Sequence, residues 1–128
     1  MTAGLADTSV FIALEHGRLV RAEAFPDRLA VSVITIAELR AGVLNAADVE
    51  TRDRRLSALT AALALAPVPI DQDVAEAWAR LRVLLRQHGL RMPANDSWIA
   101  ATAMTLGVPV VTQDEGYVSL PGLDVIRV

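Results

Sequence analysis

The chain contains no cysteine and no lysine; all 12 of its basic residues are arginine. Without cysteine there is no disulfide, no thiol nucleophile and no zinc thiolate. Without lysine there is no P-loop lysine, no Schiff-base lysine and no receiver-domain lysine. Aromatic residues are scarce: 2 Trp, 1 Tyr and 2 Phe leave little material for platforms that stack nucleic-acid bases. A dominant charge is also missing. The 15 acids and 12 arginines leave a net charge of -3, so any nucleic-acid contact has to be local. Long hydrophobic runs are absent despite a hydrophobic content of 53% and a mean hydropathy of +0.39. The longest uncharged stretch, Ser97 to Gln113, is interrupted by Gly107 and Pro109. It falls short of the roughly 20 apolar residues a spanning helix needs, so no membrane span is expected. No basic region precedes the first apolar residues, so no secretory signal is expected and the cytoplasm is the expected location.

What is present points to an ordered domain. A length of 128 residues fits one domain, taken here as residues 1–128. The apolar content is too high for a disordered chain. Short apolar runs alternate with helical patterns, which predicts βαβ units, a central parallel sheet and a three-layer α/β/α architecture. Strands are predicted at Gly4–Ala6, Leu29–Val33, the end of Leu63–Pro69, Val108–Val111 and Leu123–Val128. Thr51 is a candidate cap for a helix burying Leu56, Leu59 and Leu63. Asp71 is a candidate cap for a longer helix burying Val74, Trp78, Leu81 and Leu85 and stopped by Gly89. Ala94–Leu106 reads as a further helix closed by Gly107.

Four acids stand out by position. Asp7 follows the first strand, Glu38 interrupts the apolar stretch after the second, Asp96 opens a helix, and Asp114 follows the Val108–Val111 strand. Each has a structural explanation. Asp7 fits a helix N-cap, and Thr35-Ile36-Ala37-Glu38 fits a capping box. Asp96 suits the positive end of a helix dipole, and Asp114 suits a turn. Together they point elsewhere. Ligands of open parallel sheets sit beyond the carboxyl ends of the strands, at the switch point of strand order. Two carboxylates about 5 Å apart at an effective dielectric of 20 repel by roughly 3 kcal/mol. Such a group recruits a proton or a cation, and an all-oxygen set without His or Cys suits Mg²⁺ or Mn²⁺. That chemistry fits in-line displacement at a phosphate by activated water.

The same segments resemble a known family. Asp7-Thr8-Ser9, Ser32-Val33-Ile34-Thr35-Ile36-Ala37-Glu38-Leu39-Arg40-Ala41-Gly42, Asp96-Ser97-Trp98-Ile99-Ala100-Ala101-Thr102-Ala103 and Thr112-Gln113-Asp114, in this order, are similar to the PIN-domain ribonucleases. The similarity is greatest to the VapC toxins of bacterial toxin–antitoxin pairs and extends to Leu120-Pro121-Gly122-Leu123-Asp124-Val125-Ile126. The resemblance implies a metal-dependent endoribonuclease leaving a 5′-phosphate and a 3′-hydroxyl. It puts Asp7, Glu38, Asp96 and Asp114 on the family's acidic positions, Thr112 on its hydroxyl position and Ser9 on a small polar position near the first acid. It also implies that the first strand neighbours the Val108 strand, that a cognate VapB antitoxin exists, and that the chain forms homodimers. The sequence departs from the family at Gly116, where relatives often carry a further acid before the aromatic at Tyr117; Glu115, one residue earlier, is the candidate replacement.

The remaining chemistry-bearing residues take plainer assignments. His16 and His88 have no metal-ligand spacing and are expected at the surface. Trp78 and Trp98 are expected in the core. The arginines at 52, 54, 55, 80, 82, 86 and 91 are expected on solvated helix faces. Some arginines are suited to RNA phosphates, with Arg40, close to Glu38, the leading candidate. The alternative function is a non-catalytic binding module whose acidic groove receives a partner's arginine. An aspartyl phosphatase is disfavoured, because Asp7-Thr8-Ser9 lacks the second acid two residues on and no lysine is available.

Overall fold

The computed structural model describes residues Met1–Val128. Its strands are β1 (Ala3–Ala6), β2 (Arg28–Val31), β3 (Val110–Thr112) and β4 (Val125–Arg127). Its helices are α1 (Thr8–Glu15), α2 (Val33–Leu44), α3 (Val49–Leu63), α4 (Gln72–Gln87) and α5 (Ala94–Leu106). The strands form one parallel sheet in the order β2-β1-β3-β4, so β1 and β3 are neighbours, as the resemblance implies.

Alternation along the strands decides the layering, because successive side chains point to opposite faces. Leu5 and its register partner Val110 face one layer, where they pack with Leu81 and Leu85 of α4 and Ile99, Ala100 and Ala103 of α5. Ala6 and its partner Val111 face the other, with Val10 and Phe11 of α1, Leu39 of α2 and Leu59 of α3. The expected three-layer α/β/α arrangement is therefore present. Small residues set the spacing at its centre. A Cβ on Gly4 would lie 2.7 Å from Val111 Cγ2 and 2.9 Å from Pro26 Cγ, so only glycine fits where β1 meets β3.

Several local readings are corrected. The predicted third strand shrinks to a single parallel bridge between Ser32 and Val68, held by Val68 N–H donating to Val31 O at 2.8 Å. Prolines at 67 and 69 flank that bridge and cannot donate to a ladder. Val33 belongs to α2, not β2, because Ser32 caps the helix and accepts from Ile34 N–H. Pro109 lies outside β3, and β4 is shorter than the predicted Leu123–Val128. The cap of α3 is Asp48, which accepts from Thr51 N–H, so Thr51 lies inside the helix. Of the three leucines expected under α3 only Leu59 is buried; Leu56 and Leu63 are 42% and 44% exposed, and Ala58 and Ala62 replace them in the core. Asp71, Gly89 and Gly107 behave as expected, the two glycines with φ of 64° and 68°. No helix is long and apolar enough to cross a membrane.

Candidate active site

The site lies where β1 and β3 end. There the connections leave for opposite sides of the sheet, since β2 is beyond β1 and β4 is beyond β3. Asp7 continues the β1 ladder by one residue, its N–H donating to Val111 O at 3.0 Å. It occupies the N-cap position of α1, yet its side chain makes no capping hydrogen bond. The capping role expected for its carboxylate is therefore corrected. Instead Ser9 Oγ donates to Asp7 Oδ1 at 2.5 Å. Ser9 Oγ accepts from Gln113 N–H at 2.9 Å and lies 3.2 Å from Thr112 Oγ1, which accepts from Asp114 N–H at 2.8 Å. These bonds tie the start of α1 to the end of β3. Asp7 is only 3% exposed, and burial is the main force pushing its pKa up from 3.8 to about 6. Hydrogen bonds from Ser9 and Thr112 hold it down in part, and the charges of Asp96 and Asp114 push it further up.

Glu38 is held by α1 and not by its own helix terminus. With Ser32 as cap, a capping-box acid belongs at position 35, where Thr35 stands; Glu38 lies three residues further into the helix. The capping-box reading is therefore corrected. Thr8 Oγ1 donates to Glu38 Oε1 at 2.6 Å and lies 3.0 Å from Thr35 Oγ1. A hydroxyl carries one proton, so with Thr8 committed to the carboxylate, Thr35 donates to Thr8.

Asp96 stands in the first turn of α5, whose N-cap Pro93 offers no side-chain acceptor. The free N–H groups of that turn therefore favour its negative charge. Burial nevertheless raises its pKa, followed by the charges of Asp114 and Glu38, while a phenolic contact from Tyr117 opposes the rise. Behind it, Trp78 Nε1 donates to Ser97 Oγ at 2.9 Å, and Ser97 Oγ donates to Ala94 O at 2.5 Å. Trp78 stacks on Trp98 with ring centroids 4.6 Å apart and planes within 8°. Both indoles are half-buried, so they brace α4 against α5 and are not enclosed core residues. Asp114 is exposed and folds into an Asx turn, accepting from Gly116 N–H at 2.8 Å.

Charge repulsion thus links Asp7 to Asp96 and Asp114, and Asp96 to Asp114 and Glu38, and no arginine pairs with any of the four. The one ion pair in the molecule joins Arg127 to Glu115 at 3.8 Å. Glu115 faces that arginine with its side chain 93% exposed, outside the acidic group. Arg40 is exposed on α2. No three acidic side chains converge closely enough to enclose an ion by themselves. The donor set still fits a hard divalent ion. Mg²⁺ keeps several waters and takes one or two carboxylates together with substrate phosphates.

Sequence reasoning passed over three supports of this site: Thr8, the Trp78–Ser97 hydrogen bond, and Tyr117. Tyr117 is fully buried, and its hydroxyl has no hydrogen-bond partner of ordinary geometry. Burial, then the charges of Asp7, Asp96 and Asp114, push its pKa up, so the phenol stays protonated. Its position two residues after an exposed turn gave no sign of this burial.

The sequence pattern of the PIN domain matches residues 5–123. The chain belongs to the PIN-domain family. Within that family it is similar to VapC proteins of Mycobacterium tuberculosis, among others. It is 46% identical to Ribonuclease VapC5, over 98% of this chain and 96% of that protein. It is 48% identical to Ribonuclease VapC4, over 97% and 95% respectively. A chain in the crystal structure of VapBC-5, a member of the VapBC family of toxin–antitoxin systems from the same organism, superposes with a TM-score of 0.91 at 43% identity, covering 100% of both chains.

Proposed function

We propose that this chain is a divalent-metal-dependent endoribonuclease, the toxin of a VapBC pair, acting in the cytoplasm with residues 1–128 as one domain. The observation that carries the reading is the basin of Asp7, Glu38, Asp96 and Asp114 at the switch point, left without a cationic partner. Full-length similarity to proteins named as ribonucleases supports it. Bound Mg²⁺ or Mn²⁺ supplies charge stabilisation at the phosphate and activation of water. Asp7 and Asp96 are the principal holders of the ion, with Glu38 and Asp114 completing the set. Ser9 and Thr112 fix the orientation of Asp7, and Thr8 fixes that of Glu38. Glu115 plays no direct part, given its pairing with Arg127. The cognate partner is a VapB antitoxin that places an arginine on these carboxylates, since a guanidinium pairs with a carboxylate bidentately. The active form is a homodimer.

The test is cleavage of end-labelled RNA by purified protein in EDTA, in Mg²⁺ and in Mn²⁺, beside Asp96→Asn. Cleavage that requires the ion and disappears in Asp96→Asn is the expected result. Ion-independent cleavage, or no cleavage of any RNA by metal-loaded wild type, refutes the reading.

A further inference from the structure

The acidic basin poses an electrostatic problem for a nuclease. Carboxylates repel the phosphates they are meant to approach, and a net charge of -3 supplies no compensating field. Affinity for the backbone has to come from a separate, local positive surface. A groove of about 580 Å³ is such a surface. It lies at the corner between α4 and α5, and Arg82, Arg86 and Arg91 line it with no acid among them. We propose that this groove is the binding site for the RNA backbone that leads the strand to the acidic basin. The proposal deepens the ribonuclease reading above and rests on it for the identity of the polyanion.

Three observations single out this groove. First, its arginines are uncommitted: none makes an ion pair or a side-chain hydrogen bond, so their guanidinium donors are available. Arg82 is the best anchored, with its guanidinium 5.3 Å from the centroid of Trp78. That stacking fixes its stem and leaves its edge open for a phosphate. Second, the competing basic cluster is compromised. Arg52, Arg54 and Arg55 on α3 share that helix with Glu50 and Asp53, and Arg55 Nη1 is already given to Gly42 O at 2.7 Å. Third, the groove lies a short chain distance from the site, since it is lined by the loop that leads into α5 and Asp96. Arg91 precedes Asp96 by five residues, which bounds their Cα separation at about 18 Å. Met92, at the groove floor, belongs to the same core cluster as Tyr117, the ring beneath the acids. A strand lying along the groove therefore needs only a few nucleotides to reach the basin. Arginine suits this task because its fork donates to two phosphate oxygens at once.

The experiment measures binding of a labelled, mixed-sequence single-stranded RNA by fluorescence polarisation over a range of salt concentrations in EDTA, where cleavage stops. Arg86→Gln/Arg91→Gln is compared with Arg52→Gln/Arg54→Gln, which removes the same charge elsewhere. Both pairs are exposed, and melting temperatures confirm folding. The groove variant should bind at least tenfold more weakly, and its slope of log affinity against log salt should fall by about 0.7 per arginine removed. The α3 variant should change little. Arg86→Lys/Arg91→Lys should keep the salt slope while losing part of the affinity. Equal behaviour of the two glutamine variants overturns the proposal, whatever happens to self-association. Restoring Mn²⁺ separates the two claims: wild type that binds in the groove but never cuts defeats the ribonuclease reading, while cutting with a silent groove variant defeats only the groove.

Discussion

Thr8 Oγ1 of α1 donates a 2.6 Å hydrogen bond to Glu38 Oε1 of α2, so a residue beside the first acid sets the position of the second. The bond connects the ends of two adjacent strands through the helices that follow them. It also makes the role of Glu38 separable from helix capping.

Glu38→Gln tests that separation. Glutamine keeps an oxygen that accepts from Thr8, so the side chain stays in place while its charge is lost. Thermal stability without metal should be unchanged or higher, because one repulsive carboxylate is gone. Cleavage should fall by more than about 100-fold, beyond the usual effect of removing a ligand's outer hydrogen-bond partner. Parallel melts and cleavage assays check this, and a variant that cuts like wild type removes Glu38 from the catalytic group.

Asp7 predicts a pH dependence. Its pKa in the fold is raised from 3.8 to about 6, so the folded protein holds this proton more tightly than the unfolded chain. Stability of the metal-free protein from this group is therefore greatest below pH 3.8, declines as pH rises to about 6, and is level above that. The full penalty at neutral pH is about 3 kcal/mol. Asp7→Asn removes the charge, so the variant should gain on wild type between those limits and keep a constant advantage above them. The gain in melting temperature on adding Mn²⁺ should be largely lost in the same variant. Urea melts of both proteins from pH 4 to 8 read the difference, and a pH-independent difference contradicts a raised Asp7.

Gly4→Ala tests the close approach of β1 and β3. The added Cβ would meet Val111 Cγ2 at 2.7 Å and Pro26 Cγ at 2.9 Å, both in packed surroundings. Displacing them should destabilise the fold by about 1–3 kcal/mol. Because Val111 O also receives the Asp7 N–H, metal affinity should fall with stability. A wild-type melting temperature for Gly4→Ala shows that the strands can separate without loss.

The readable parts of this fold were those governed by chain-local rules. Asp71 before its helix, Gly89 and Gly107 at positive φ, and Asp7 and Asp114 beyond strands all express geometry within a few residues. The weak reading of β1 has a physical source: a central strand of Ala3-Gly4-Leu5-Ala6 is small because its neighbours are close, and small residues carry little strand signal. Capping boxes failed for a related reason. Thr35 to Glu38 has the right spacing, but the helix begins at Val33, and helix starts are set by where the strand ends. Thr8–Glu38, Trp78–Ser97 and the burial of Tyr117 join elements far apart in sequence, so no local pattern marks them.

Tyr117 supplies a test in which stability and function move in opposite directions. Its ring is fully buried in the cluster with Leu5, Ile99 and Val110, while its hydroxyl lacks a partner of ordinary geometry. An unpartnered buried hydroxyl costs about 1–3 kcal/mol. Tyr117→Phe keeps the ring packing and deletes only that oxygen, so the metal-free variant should gain about 1 kcal/mol, or roughly 4 °C in melting temperature. The phenol is also the one group that opposes the rise in the Asp96 pKa. Without it, the Asp96 carboxylate loses a contact that favours its charged, metal-holding form. Calorimetric Mn²⁺ affinity near neutral pH should therefore fall about tenfold in Tyr117→Phe, the usual scale for a lost partner of a metal-holding side chain. A variant less stable than wild type shows that the hydroxyl is satisfied after all. One that is more stable but binds Mn²⁺ as wild type does removes the link from Tyr117 to Asp96.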